Sequence, residues 1–196
     1  MARRFILASR ENPQANDLCS PEKETPPLPQ MRAGIALGSN LGDRFLCLTT
    51  ARAGVFVLTG ATPPFLSSGI YESEPVECET SAGKFLNAVI EIGYSGCSRQ
   101  LLAELKEIEE VLGRPPQHER NRSRTIDLDL LYHEAETFNE PGLQLPHPRL
   151  HLRGFVLHPL AEIRPNLILP GQTKTVRELT AELAPSASVV RSARQW

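Results

Sequence analysis

Residues 124–133 read RTIDLDLLYH, and the alternation in this stretch decides the fold class. Side chains at i and i+2 of a strand share a face. Ile126, Leu128 and Leu130 therefore point one way, and Asp127 and Asp129 point the other. One face suits a core, while the second carries two carboxylates separated along the strand by roughly 7 Å. Like charges that close repel unless water or a cation screens them, and paired hard oxygens are what Mg²⁺ takes when substrate phosphates complete its shell. A two-metal phosphate site is the sharper reading; an edge strand with a wet face is the plainer one.

The segment just upstream, GRPPQHERNRSR (113–124), brings Arg114, His118, Arg120, Arg122 and Arg124 into a loop that contains two prolines. Runs of charge are usually solvated, but guanidinium forks beside a carboxylate pair suit phosphate oxygens and their metal together. The combination points to a nucleoside triphosphate. Before this loop, SRQLLAELKEIEEVLGR (98–114) places Leu101, Leu105, Ile108 and Leu112 on one helical stripe, with Ser98 as the expected cap and Gly113 as the expected stop.

Further back, KFLNAVIEIGY (84–94) reads as a strand with Phe85 and Asn87 on one face. An aromatic ring beside an amide makes a floor for a flat heterocycle, although Phe85 alone reads more readily as core. AGIALG (33–38) is another strand, and DRFLCLTTARAGVFVLTG (43–60) is a helix with Phe45, Leu48, Arg52 and Phe56 at helical spacing and Asp43 as N-cap. PPFLSSGIYESEPV (63–76) reads as one strand. LRGFVLHPLAEI (152–163) reads as a short strand or turn leading into a helix.

GSNLGD (38–43) matches no phosphate-loop motif, and both a phosphate-cradling turn and a plain strand-to-helix turn account for its glycines. The order β-α-β-β-α-β is the ferredoxin-like pattern of the α+β class. The expectation is a mostly antiparallel sheet with helices packed on it and extra C-terminal elements.

The chain has 196 residues, 40% hydrophobic and 22% charged, with a formal net charge of -2. These values suit one packed domain, and neither a basic excess for nucleic acid nor an apolar run for a membrane is present. Residues 11–30 are polar and proline-rich, so 1–30 are expected to form a disordered extension ahead of a single domain, 31–196. Met31 reads as an alternative start. MARRFILASR holds only four consecutive apolar residues, too few for a secretory signal, and a cytoplasmic location is expected. Cys19, Cys47, Cys78 and Cys97 form no C-x-x-C pair, so reduced thiols are expected.

LPHPRLHLRGF (145–155) gathers His147, Arg149, His151, Arg153 and Phe155 without any zinc-site spacing; a phosphate or base contact fits better. Taken together, ALGSNLGD, YESEP, FLNAV, GRPPQHERNRSRTIDLDLL and LPHPRLHLRGFVLHPLAEI resemble the 6-hydroxymethyl-7,8-dihydropterin pyrophosphokinases of folate biosynthesis across about residues 32–180. The resemblance implies transfer of the β,γ-pyrophosphoryl group of ATP to the pterin hydroxymethyl, with release of AMP and two Mg²⁺ ions in the site.

By that resemblance Asp127 and Asp129 hold the metals, Arg114 and Arg124 handle the phosphates in catalysis, and Arg120 assists. Glu109, His147 and Arg153 fall on the ATP side. Phe85 and Phe155 match the rings that sandwich the pterin, Asn87 matches the amide that reads its edge, and contacts are expected near Ser73 and Val76. Glu74 and Asn121 depart from residues common in the family. ATP and the dihydropterin are the expected partners of a monomer that binds neither nucleic acid nor membrane.

Two other readings fit the same elements: a non-catalytic ferredoxin-like ligand-binding module, and an RNA-binding domain of that fold. The first leaves the arginine loop and aspartate pair as coincidence. The second wants a basic, aromatic sheet face, which the acidic pair opposes.

Overall fold

A computed structural model describes residues 31–76, 82–115, 123–183 and 189–196. The expected extension, 1–30, lies outside the described residues, as do Arg120 and much of the two loops that precede β4 and β5.

Strand β1 (Met31–Ser39) runs into helix α1 (Arg44–Phe56), where Asp43 caps the first turn by accepting from Leu46 N–H at 3.0 Å. Strands β2 (Ala61–Ser67) and β3 (Tyr71–Ser73) follow, then β4 (Phe85–Tyr94), helix α2 (Ser98–Val111) and β5 (Asp127–His133). A short hairpin, β6 (Phe138–Glu140) with β7 (Leu143–Leu145), leads through a 3-10 turn at Leu150–Leu152 to α3 (Gly154–Ile163), α4 (Val176–Glu182) and β8 (Val190–Arg191).

Among the described residues the main sheet has the order β5-β1-β4-β3-β8, with β2 also paired to β4, and every pairing is antiparallel. Counting β2 and β3 as one interrupted strand gives the ferredoxin-like order. Helices cover both faces. On one, Leu48, Ala51 and Val55 of α1 and Leu101 and Leu105 of α2 pack against Ile35, Leu37, Ile90, Leu128 and Leu130. On the other, Val156, Leu157 and Leu160 of α3 pack with Val89, Leu131 and Tyr132. β4 is buried almost throughout because it lies between these two layers.

Three expectations need correction. The segment read as one strand breaks at Ser68–Ile70, where Ser68 Oγ accepts from Val89 N–H and donates to the carbonyl of Gly69. Ser98 does not cap α2; Cys97 is the N-cap, and the Ser98 hydroxyl turns inward to His133 and Glu136. Cys47 is free but Cys97 is disulfide-bonded, against the expectation of reduced thiols. Gly113 does end α2, in the left-handed region at φ 89°.

Candidate active site

Register brings the site together. Gly38 of β1 pairs with Asn87 on one side and Asp127 on the other, and Asn87 pairs with Tyr71 of β3. One step along, Ala36 sits between Val89 and Asp129. These rows lie on the face that α3 covers, and beyond the end of that helix they open into a cleft of about 280 Å³. Its lining includes Ser73, Val76, Phe85, Asn87, Arg114, Arg124, Asp127, Asp129, His147, Arg153 and Phe155, eleven of the thirteen residues singled out from sequence.

Glu109 stands behind the lining. Its carboxylate accepts from Leu128 N–H at 2.6 Å and from the Arg114 guanidinium, so it anchors an arginine and the start of β5. Burial raises its pKa to about 7, against the lowering pull of the Leu128 N–H and Arg114. Arg120 lies outside the described residues.

One wall is charged. Asp127 Oδ1 accepts from Arg114 Nη1, and Oδ2 accepts from Arg124 Nη1 at 2.7 Å. Arg153 Nη1 lies 3.7 Å from Asp129 Oδ2. Burial and then the charge of Asp127 push the Asp129 carboxyl up to about 6, an electrostatic cost that a nearby cation relieves. Two hard carboxylates flanked by arginines are a donor set that fits Mg²⁺ shared with substrate phosphates. Among the described residues no cluster of three or more His, Cys, Asp or Glu side chains forms a metal site without such phosphates.

The opposite wall is flat and apolar, with a polar edge. The guanidinium of Arg124 lies 6.0 Å from the Phe85 ring centre and that of Arg153 lies 5.4 Å from the Phe155 ring centre, so each ring has a cation over its face. Between them, buried Asn87 donates from Nδ2 to Ser73 Oγ at 3.0 Å, which fixes the orientation of its amide. His147 Nδ1 accepts from Arg149 N–H at 3.3 Å. Burial, then Arg153 and Arg149, lower the His147 pKa to about 4, so the ring is neutral near pH 7 with its proton on Nε2.

Sequence reasoning missed Asn40. It exchanges backbone bonds with Arg124: its Oδ1 accepts from Arg124 N–H at 2.7 Å, and its own N–H donates to the Arg124 carbonyl at 3.2 Å. Its Nδ2 also reaches Ser123 Oγ at 3.2 Å and the Gly83 carbonyl at 3.5 Å. GSNLGD is thus a strand-to-helix turn that clasps the stems of both neighbouring loops. Arg149 and Glu74 also line the cleft, whereas His151 does not.

The family model described as 7,8-dihydro-6-hydroxymethylpterin-pyrophosphokinase (HPPK) matches residues 34–165. The chain belongs to the HPPK family.

Among HPPK relatives, the 2-amino-4-hydroxy-6-hydroxymethyldihydropteridine pyrophosphokinase of Bacillus subtilis (strain 168) is 44% identical over 131 residues, covering 67% of this chain and 77% of that protein. The protein of the same name from Methylorubrum extorquens is 39% identical over 158 residues, covering 79% and 95%. A solved Plasmodium falciparum HPPK-DHPS, wild type with SDX-DHP, superposes with a TM-score of 0.61 at 14% identity, covering 78% of this chain and 44% of that one. At that identity the superposition speaks for the HPPK fold alone.

Proposed function

We propose that this HPPK-family chain transfers the β,γ-pyrophosphoryl group of ATP to the hydroxymethyl oxygen of 6-hydroxymethyl-7,8-dihydropterin, a step of folate biosynthesis. The new bond is from that oxygen to the β-phosphorus. The bond from the β-phosphorus to the oxygen that bridges it to the α-phosphorus breaks, AMP leaves with that oxygen, and the hydroxyl proton passes to solvent. The observation that carries this reading is the row Asn87–Gly38–Asp127, which sets an aromatic and amide slot against a carboxylate and arginine wall across one bare backbone position.

Transfer of this kind asks the protein for position and charge rather than covalent chemistry. Phe85 and Phe155 hold the pterin between them, and Asn87, fixed by Ser73, reads its edge, with the backbone near Val76 completing the contacts. Arg114 and Arg124 face the phosphates and meet charge as it moves toward AMP. His147 donates from Nε2 to a phosphate oxygen, beside Arg153. Asp127 and Asp129 would hold Mg²⁺, for which we propose two ions; when bound, they supply neutralisation and alignment of the phosphates. The reading includes a monomeric enzyme placed in the cytoplasm, where ATP is supplied.

The test is incubation with ATP, Mg²⁺ and the dihydropterin. AMP is the expected nucleotide product, lost on chelation of the metal. ADP as the product, or none at all, overturns the reading.

A further inference from the structure

Residues 189–196 follow the stretch matched by the family model, and no periodicity in VVRSARQW announces a structural element. They nevertheless form a strap. Val190 and Arg191 pair with Glu72 and Tyr71, so β8 adds itself to β3. Ser192 N–H donates to the Ile70 carbonyl at 2.7 Å, and Trp196 Nε1–H donates to the Ser68 carbonyl at 2.6 Å. The Trp196 ring lies under the Arg52 guanidinium, 4.2 Å from its centre.

The same strap grips α3 at both ends. At the N-terminal end, a Cβ added to Gly154 would lie 3.4 Å from Val189 Cγ2, so the Val189 side chain packs onto the residue next to Phe155. At the other end, Arg191 Nη2 donates to Glu162 Oε1 at 2.8 Å. Glu162 Oε2 in turn accepts from Gly69 N–H at 2.8 Å and from Tyr71 Oη–H at 3.1 Å, and the Tyr71 ring stacks on His158. β3 and α3 carry two walls of the cleft, at Ser73 and at Phe155. The strap therefore touches the residue before each wall residue, with Val190 opposite Glu72 and Val189 against Gly154.

We infer that residues 189–192 position the pterin slot: by joining β3 to α3 they set the distance between the Ser73–Asn87 edge and the Phe155 ring. This rests on the pterin reading proposed above and deepens it. Arg191 acts through Glu162 and Tyr71, and Val189 acts through Gly154. The nucleotide wall is built from β5 and the Arg114 and Arg124 segment, with Arg153 beside Gly154; Arg191 instead bonds Glu162 at the other end of α3, so the two substrates should respond differently to its loss.

The test measures KM for each substrate at saturation of the other, with kcat, in the full chain and three variants. These are Arg191→Ala, Arg191→Lys and a chain ending at residue 188. In Arg191→Ala and in the shortened chain, KM for the dihydropterin should rise about tenfold while KM for ATP stays within about twofold, because a displacement of under 1 Å weakens only the slot it widens. Arg191→Lys keeps the charge opposite Glu162 and should restore most of the loss.

Equal changes in both KM values, or no change in a folded variant, overturn the inference. If the shortened chain fails to fold, the Arg191 pair decides, since that side chain is surface-exposed. Absence of AMP formation by the unaltered chain would instead sink the proposed function and is read separately.

Discussion

Asn87 and Asp127 stand in one row two strands apart, with Gly38 paired to both. Neighbouring strands are spaced by about 4.8 Å, so the amide that faces one substrate and the carboxylate that faces the other are separated by about 10 Å of backbone. Only a residue without a side chain leaves that floor open for the reacting atoms to meet.

A Cβ on Gly38 would lie 3.5 Å from Asn87 Oδ1 and 3.9 Å from both Asp127 Cβ and Phe85 Cδ1, ordinary contact distances. Gly38→Val should therefore fold, with a melting temperature within a few degrees of the unaltered chain, because a branched residue suits a strand. Its extra methyls fill the floor, and kcat/KM for AMP formation should fall about 100-fold. Steady-state kinetics beside a thermal melt checks both halves. Retained activity would show that the substrates do not meet over this position.

Alternation made half of this legible from sequence and register hid the other half. Asp127 and Asp129 share a face because the strand period is two, a local property that RTIDLDLLYH displays. That Gly38 aligns with both Asn87 and Asp127 depends on pairing between segments dozens of residues apart, which no spacing states. Ser98 failed as a cap for a related reason: the local preference lost to a buried partner, His133, contributed from β5. The break at Ser68–Ile70 is likewise made by partners in β4 and α3, Val89 and Glu162. Residues 189–196 were unreadable because they are held by main-chain and ion-pair contacts rather than by an apolar stripe.

Asn40 supplies the next prediction. Its side chain, 8% exposed, bonds the Arg124 N–H, Ser123 and Gly83, so it holds the arginine that pairs with Asp127. Asn40→Ala should cost about 1–3 kcal/mol in urea unfolding, since it leaves the Arg124 N–H without its side-chain acceptor, and should lower kcat about tenfold with little change in pterin KM. Asn40→Asp keeps the acceptor for Arg124 and loses both donor contacts, so it should recover most of kcat. Equal kcat in the two variants would remove Asn40 from the positioning of Arg124.

His133 gives the chain a stability that depends on pH. Its ring is fully buried against Tyr94, with ring centres 6.0 Å apart, and Nδ1 lies 2.8 Å from Ser98 Oγ. Ser98 gives its proton to Glu136, so Nδ1 must donate, and Nε2 is a buried atom with no hydrogen-bond partner. Burial disfavours the charged ring and lowers the His133 pKa, despite the opposing pulls of Glu136 and of the Tyr94 backbone. A histidine whose folded pKa lies below its unfolded value contributes stability that is present above about pH 6.5 and is lost as the pH falls below it. The urea midpoint should therefore drop between pH 7 and pH 5 in the unaltered chain, and drop less in His133→Gln. Proton NMR of the ring checks the cause directly: the His133 midpoint should lie below the ordinary value of about 6.5, and a midpoint at or above it would show that its burial is not what destabilises the chain in acid.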